Sequence, residues 1–205
     1  MMKEYNINQT TLRILGLYRS DYRRSLHLRE VSRETGVDVK AVQLQLKRLE
    51  KINILSSAAK GRGKDYSLNL NDPLTMYYMV LAEAFASTEY LARNFVIKKI
   101  ASETRDRVDG TMILFGSFAR GEGTEGNPVD LLIITGGTMD SSIFAKTGGL
   151  ISREIRVKSM DKAWFLEGFG MGDPLITEAV SSHILLKGID EFCSLMWQYH
   201  AKKRT

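Results

Sequence analysis

The sequence predicts an α+β chain in three parts, and three observations carry that prediction. Positive charge gathers at the N-terminus: residues 1–70 hold 14 Lys and Arg against 7 Asp and Glu, while the remainder holds 15 against 17. Asn71-Asp72-Pro73 is a turn signal between the basic part and a long helix-favouring stretch. Beyond that stretch, the apolar runs Met112–Phe115 and Val129–Ile134 read as short buried strands, the first ending at Gly116. The expected division is a helical module with a hairpin over 1–72, a helical connector over 73–108, and a mixed α/β sheet domain over 109–205.

In the first part, Thr10 to Tyr18 carries Leu12, Ile14, Leu15 and Leu17 and suits a first helix. Leu26 and Leu28 open a second, which runs through Val31 to Thr35 and stops at Gly36. Asp38 suits the N-cap of a third helix over Val39 to Ile52, whose buried face uses Val42, Leu46 and Leu49. The other face presents Lys40, Gln43, Lys47 and Lys51, with Arg48 near the edge. Ile54-Leu55 begins a strand, Lys60-Gly61-Arg62-Gly63-Lys64 makes a basic glycine turn, and Tyr66 to Leu70 alternates as a returning strand.

That order resembles a winged helix-turn-helix. Leu46-Lys47-Arg48-Leu49-Glu50, followed by Ile54-Leu55, is similar to the end of the recognition helix in small microbial transcription regulators. The resemblance implies DNA as partner. Lys40, Gln43, Lys47, Arg48 and Lys51 would face the major groove, and Lys60, Arg62 and Lys64 on the hairpin would hold phosphates. The local excess of positive charge agrees with a polyanionic partner. Winged helices also serve as protein-contact modules, and the sequence leaves that alternative open.

Leu74 to about Arg107 reads as mostly helical, with one break expected near Ser87. Tyr77, Tyr78, Val80, Leu81 and Phe85 make its first part apolar around much of its circumference. Such a helix is buried, either within its own chain or against a second copy, and regulators of the resembling type pair on DNA half-sites as homodimers.

The chemistry concentrates in Gly116-Ser117-Phe118-Ala119-Arg120-Gly121 and Asn127-Pro128-Val129-Asp130. A Gly-Ser turn after a strand leaves backbone N–H groups and a hydroxyl free to hold phosphate oxygens. Asp130 is one carboxylate within an apolar strand, a costly placement unless it binds a cation or is hydrogen-bonded. The stretch resembles the signature of the minimal nucleotidyltransferases of the DNA polymerase β-like superfamily. There the Gly-Ser is followed by two aspartates, one residue apart on the next strand, that share a metal ion. The resemblance implies nucleotide binding by Gly116, Ser117 and Arg120, a Mg²⁺ cofactor held by Asp130, and a nucleoside triphosphate as ligand. It also departs from the pattern: the first aspartate position is Pro128, which has no ligand atom, although proline is tolerated at the start of a strand. In the resembling family an acidic residue on a later strand completes the metal site or acts as base. Glu154 is the candidate for that catalytic role, with a solvated strand-end charge as the other reading.

Downstream, Ser141 to Leu150 suggests a helix, Glu154 to Met160 a half-exposed strand, and Asp161 to Phe169 and Asp173 to Val180 two N-capped helices. Ser182 to Gly188 and a helix from Ile189 to His200 close the chain. Gly168-Phe169-Gly170-Met171-Gly172 lacks the spacing and preceding strand of a dinucleotide fingerprint and reads as a flexible turn. His27, His183 and His200 are scattered, and no zinc spacing or Walker motif occurs.

Composition bounds the rest. Hydrophobic residues make up 43% of the chain, enough for a core in each domain, and Cys193 alone excludes an internal disulfide framework. Met76 to Leu91 is too short and too charged to span a bilayer, and the start has no signal-type apolar run. These features predict a soluble cytoplasmic protein. Two functions compete. The first is a DNA-binding regulator whose nucleotidyltransferase-like domain has lost or weakened transfer and binds nucleotide. The second is an active Mg²⁺-dependent transferase that moves NMP to a protein or nucleic acid. Pro128 favours the first, because loss of one metal ligand disrupts the geometry of in-line transfer.

Overall fold

The computed structural model describes residues 7–61, 63–137 and 139–202. The chain forms two compact units, Met1–Phe85 with Met196–Thr205, and Ala86–Leu195.

The first unit begins with α1 (Gln9–Gly16), capped by the Asn8 side chain, which accepts from Thr11 N at 2.9 Å. A short strand β1 (Ser25–His27) leads into α2 (Leu28–Thr35), and α3 (Val39–Lys51) follows after Gly36. The Asp38 carboxylate accepts from Lys40 N and Ala41 N and starts α3 where its sequence suggests. The hairpin β2 (Leu55–Lys60) and β3 (Gly63–Leu68) joins β1 in an antiparallel sheet of order β1-β3-β2.

Leu26 therefore lies in a strand, paired with Tyr66, and not in the second helix. The helix starts two residues later because His27 caps it: its ring accepts from Arg29 N, while Glu30 accepts from His27 N. The core gathers Ile14, Leu15, Tyr18, Leu26, Val31, Val42, Leu46 and Ile54, all fully buried. Gln45 joins this core as a polar member, accepting from the Thr11 hydroxyl at 3.2 Å.

Helix α4 (Leu74–Arg93) continues unbroken through Ser87. The interruption falls at Asn94, whose amide donates to Tyr90 O at 2.8 Å and takes the last turn's acceptor before α5 (Phe95–Thr104) resumes. Tyr78, Met79 and Ala82 are buried, whereas Tyr77 and Leu81, two of the residues expected to be buried, are exposed. Glu83 is fully buried and accepts from Arg19 Nε at 2.7 Å.

The second unit is built on a four-stranded mixed sheet of β4 (Thr111–Phe115), β5 (Val129–Ile134), β6 (Ile155–Met160) and β7 (Ile184–Lys187), in the order β6-β5-β4-β7. Strand β4 is antiparallel to both β5 and β7, while β5 and β6 are parallel. A parallel pair needs a crossover, which α7 (Ser142–Leu150) supplies. One face of the sheet buries Met112, Leu114, Val129, Leu131, Ile133, Ile184 and Leu186 with Ile97 and Ile100 of α5 and Phe144 of α7. Alternation turns Ile113, Asp130 and Leu132 to the other face. On that side α9 (Pro174–Ser181) packs against β4, preceded by α8 (Lys162–Met171).

The glycine-rich segment expected as a turn is helical through Met171. Gly168 sits close against α9: a Cβ on it would lie 2.5 Å from Ile176 Cδ1, so that side chain would have to shift. The chain ends in α10 (Ile189–Lys202). Among the described residues, no helix is long and apolar enough to cross a membrane.

Candidate nucleotide site and basic face

In the second unit, β4 delivers the chain to Gly116, which has φ +71° and opens the single turn α6 (Gly116–Ala119). A side chain here would be strained by that φ, and it would also meet Asp130: a Cβ would stand 2.8 Å from Asp130 Oδ2. Gly116 thus lets the carboxylate sit against the backbone of the Gly-Ser turn. Ser117 is half-buried one residue further on, and Arg120 follows at the end of α6.

Arg120 is already held. Its Nε donates to Glu122 at 2.9 Å and its Nη1 to Glu178 of α9 at 2.9 Å, which raises its pKa further. Asp130 is half-buried, and that burial pushes its carboxyl above the ordinary aspartate range, opposed by Arg156 and reinforced by Glu178 and Glu154.

The parallel register pairs Asp130 with Arg156, so both side chains leave the same face of the sheet. Glu154 lies just before β6, where its carbonyl accepts from Val129 N at 2.9 Å. Both of its carboxylate oxygens accept from Arg156, at 3.0 and 3.1 Å, and this pairing holds its pKa below the usual carboxylate range. The structure therefore gathers Gly116, Ser117, Arg120 and Asp130, and sets Glu154 beside them with its oxygens committed to an arginine.

The donor set does not fit a divalent cation. Pro128 offers no ligand, Asp130 faces Arg156, and Glu154 and Glu178 are each paired with an arginine. Among the described residues, no group of three or more His, Cys, Asp or Glu side chains is placed to hold a metal ion. Arg156 and Glu178 escaped the sequence reading for different reasons. Arg156 gains meaning only from the β5–β6 register, and Glu178 reaches the site from a helix 58 residues beyond Arg120.

In the first unit, Lys40, Gln43, Lys47, Arg48 and Lys51 are all exposed on α3. The hairpin lysines are less free. Lys60 donates to Asp65 at 2.7 Å, and Lys64 donates to Glu50 at 3.0 Å. Glu50 also accepts from the Ser57 hydroxyl, which together with Lys64 lowers its pKa. Gln43, Lys47, Glu50, Lys64, His27 and Tyr66 line a groove of about 460 Å³ between α3 and the hairpin. Arg62 lies outside the described residues.

Residues 97–167 match the family model of the nucleotidyltransferase domain. The match runs from α5 into α8 and contains β4, the Gly-Ser turn, β5 and β6. That family typically uses Mg²⁺. No curated protein matches the chain. Among solved structures, one described as "Crystal structure of the toxin-antitoxin with AMP-PNP" aligns at 16% identity with a TM-score of 0.36, covering 52% of this chain and 84% of that one.

Proposed function

We propose that the chain is a DNA-binding regulator whose nucleotidyltransferase-fold domain binds nucleotide and has lost or weakened transfer. The reading assigns residues 1–72 to a winged helix-turn-helix, 73–108 to a helical connector and 109–205 to the nucleotide-binding domain. Its DNA half is supported by the element order α1-β1-α2-α3-β2-β3, the sheet order β1-β3-β2, and the exposed cations of α3. In this reading α3 enters the major groove, and Gln43 and Lys47 reach base edges beside the hairpin.

The observation that carries the catalytic half is the row Pro128, Asp130 and Arg156, in which a lone carboxylate stands against an arginine. In-line NMP transfer needs a metal held in tight geometry at attacking and leaving oxygens, and this row supplies one ligand and a competing cation. The residues that remain suited to a nucleotide are the Gly116-Ser117 turn, through its N–H groups and hydroxyl, and the arginines beside it. A homodimer through the exposed Tyr77 and Leu81 of α4 fits pairing on DNA half-sites; a single 23.1 kDa species in light scattering removes it.

Two assays test the reading together. Fluorescence anisotropy with duplex DNA is expected to show affinity falling steeply with salt, the slope scaling with the phosphates contacted. Incubation with labelled nucleoside triphosphates and Mg²⁺ is expected to leave protein and nucleic acid unlabelled. Label that disappears in Asp130→Asn would instead establish an active transferase, and DNA affinity indifferent to salt would make the first unit a protein-contact module.

A further inference from the structure

We propose that Arg156 takes the place of the divalent cation at Asp130, so that this domain holds a nucleoside triphosphate without a metal ion. The inference rests on the nucleotide-binding reading above and specifies its chemistry.

Four observations lead to it. First, Arg156 is in register with Asp130 on the adjacent parallel strand, and neighbouring strands lie about 4.8 Å apart. A cation is thus built into the sheet next to the carboxylate that would otherwise carry the metal. Second, Glu154 grips the guanidinium through Nε and Nη2 and leaves Nη1 without a partner among the described residues. A guanidinium fixed along one edge and open on the other is preorganised for a phosphate, whose oxygens match its planar N–H groups. Its side chain is 57% exposed, so an incoming ligand can reach it. Third, Lys158 projects from the same strand face two residues on, exposed and without a carboxylate partner among the described residues. Fourth, Gly116 brings the backbone of the Gly-Ser turn against Asp130, which places further N–H donors close to this row of charges.

The two modes of binding differ in the sign of one effect. If a metal bridged Asp130 and the phosphates, loss of the Asp130 charge would weaken binding. With Arg156 as the counterion, Asp130 only repels the phosphates, and loss of its charge tightens binding.

The test is calorimetric titration of ATP into the full chain, in Mg²⁺ and in EDTA, with wild type, Asp130→Asn, Arg156→Ala and Arg156→Lys. Expected are equal wild-type affinities with and without the metal, and a loss of about tenfold or more in Arg156→Ala. Partial recovery is expected in Arg156→Lys, and roughly threefold tighter binding in Asp130→Asn in EDTA. Unchanged unliganded melting curves guard against misfolding, and Arg156 is exposed at the end of an edge strand. ATP binding that requires Mg²⁺ and is lost in Asp130→Asn overturns the proposal while leaving the nucleotide reading intact. Failure of wild type to bind ATP in either buffer overturns both.

Discussion

The two units treat positive charge in opposite ways. On α3 of the first unit, Lys40, Lys47, Arg48 and Lys51 are exposed and make no salt bridge among the described residues. At the candidate site of the second unit, Arg120 is shared by Glu122 and Glu178, and Arg156 is held by Glu154. Free cations on a helix face raise the local potential and attract any polyanion, with little demand on its geometry. Cations already matched to carboxylates attract less at long range, yet their orientation is set in advance, so a ligand there must fit the remaining donors. The proposed function uses the first arrangement for a nucleic-acid backbone and the second for a small phosphorylated ligand.

The largest expected effect concerns whether the second site can be made to bind a divalent metal. Pro128→Asp alone is expected to leave Mn²⁺ and Mg²⁺ binding weak, because Arg156 still opposes a cation at Asp130. Pro128→Asp combined with Arg156→Asp is expected to bind Mn²⁺ about tenfold tighter or more, measured by paramagnetic relaxation of water. If Pro128→Asp alone confers metal affinity or NMP transfer, Arg156 is not the obstacle and the contrast between the units loses its main support.

Next in size is the salt dependence of the proposed DNA binding. Replacing Lys40 and Lys51 by Ala should lower the slope of log K against log salt by about 2, whereas replacing Gln43 or Lys47 should alter preference between sequences. Replacing Lys60 and Lys64 should change the slope by less per residue, because Asp65 and Glu50 already compensate them. Equal effects from the two sets would mean that the hairpin pairs open on DNA.

Gly116→Ala probes the second unit without adding or removing a charge. The positive φ and the close approach of Asp130 predict a loss of about 1–3 kcal/mol in urea unfolding. The same substitution at Gly126, where a Cβ meets nothing within 4 Å, should cost far less.

These contrasts also explain what the sequence discloses and what it hides. Element type was legible where periodicity and caps agree: Asp38, Asp161 and Asp173 each cap the helix expected of them. Short strands with little pattern were not. Three residues cannot show alternation, so β1 was absorbed into the following helix, and only pairing with β3 defines it. Glycines misled in the segment ending at Gly172, where α8 runs through Gly168 and Gly170 despite their low helix propensity. The Gly116-Ser117 turn and Asp130 were legible because their chemistry is local. Arg156, Glu178 and the Glu50–Lys64 pair were not, since register and tertiary packing create those juxtapositions.

The smallest expected effect compares two carboxylates shifted in opposite directions. Glu50 is held below the ordinary glutamate range, first by the Ser57 hydroxyl and then by Lys64. A depressed folded value means that its contribution to stability is present above the unfolded pKa and disappears as pH falls through the folded one. Asp130 is raised by burial, so its ionised form costs stability, and that cost grows as pH rises from the ordinary aspartate value through the raised one. At neutral pH, Glu50→Gln should therefore lower the melting temperature slightly, the effect being limited by solvent screening of a partly exposed pair. Asp130→Asn should raise it. Both differences should shrink in acid, where each wild-type carboxyl is protonated, as scanning calorimetry across pH would show. A fall in melting temperature for Asp130→Asn at neutral pH would mean that its carboxylate is stabilised by its surroundings, and Arg156 would then be a structural partner of Asp130 and not a donor kept for a ligand.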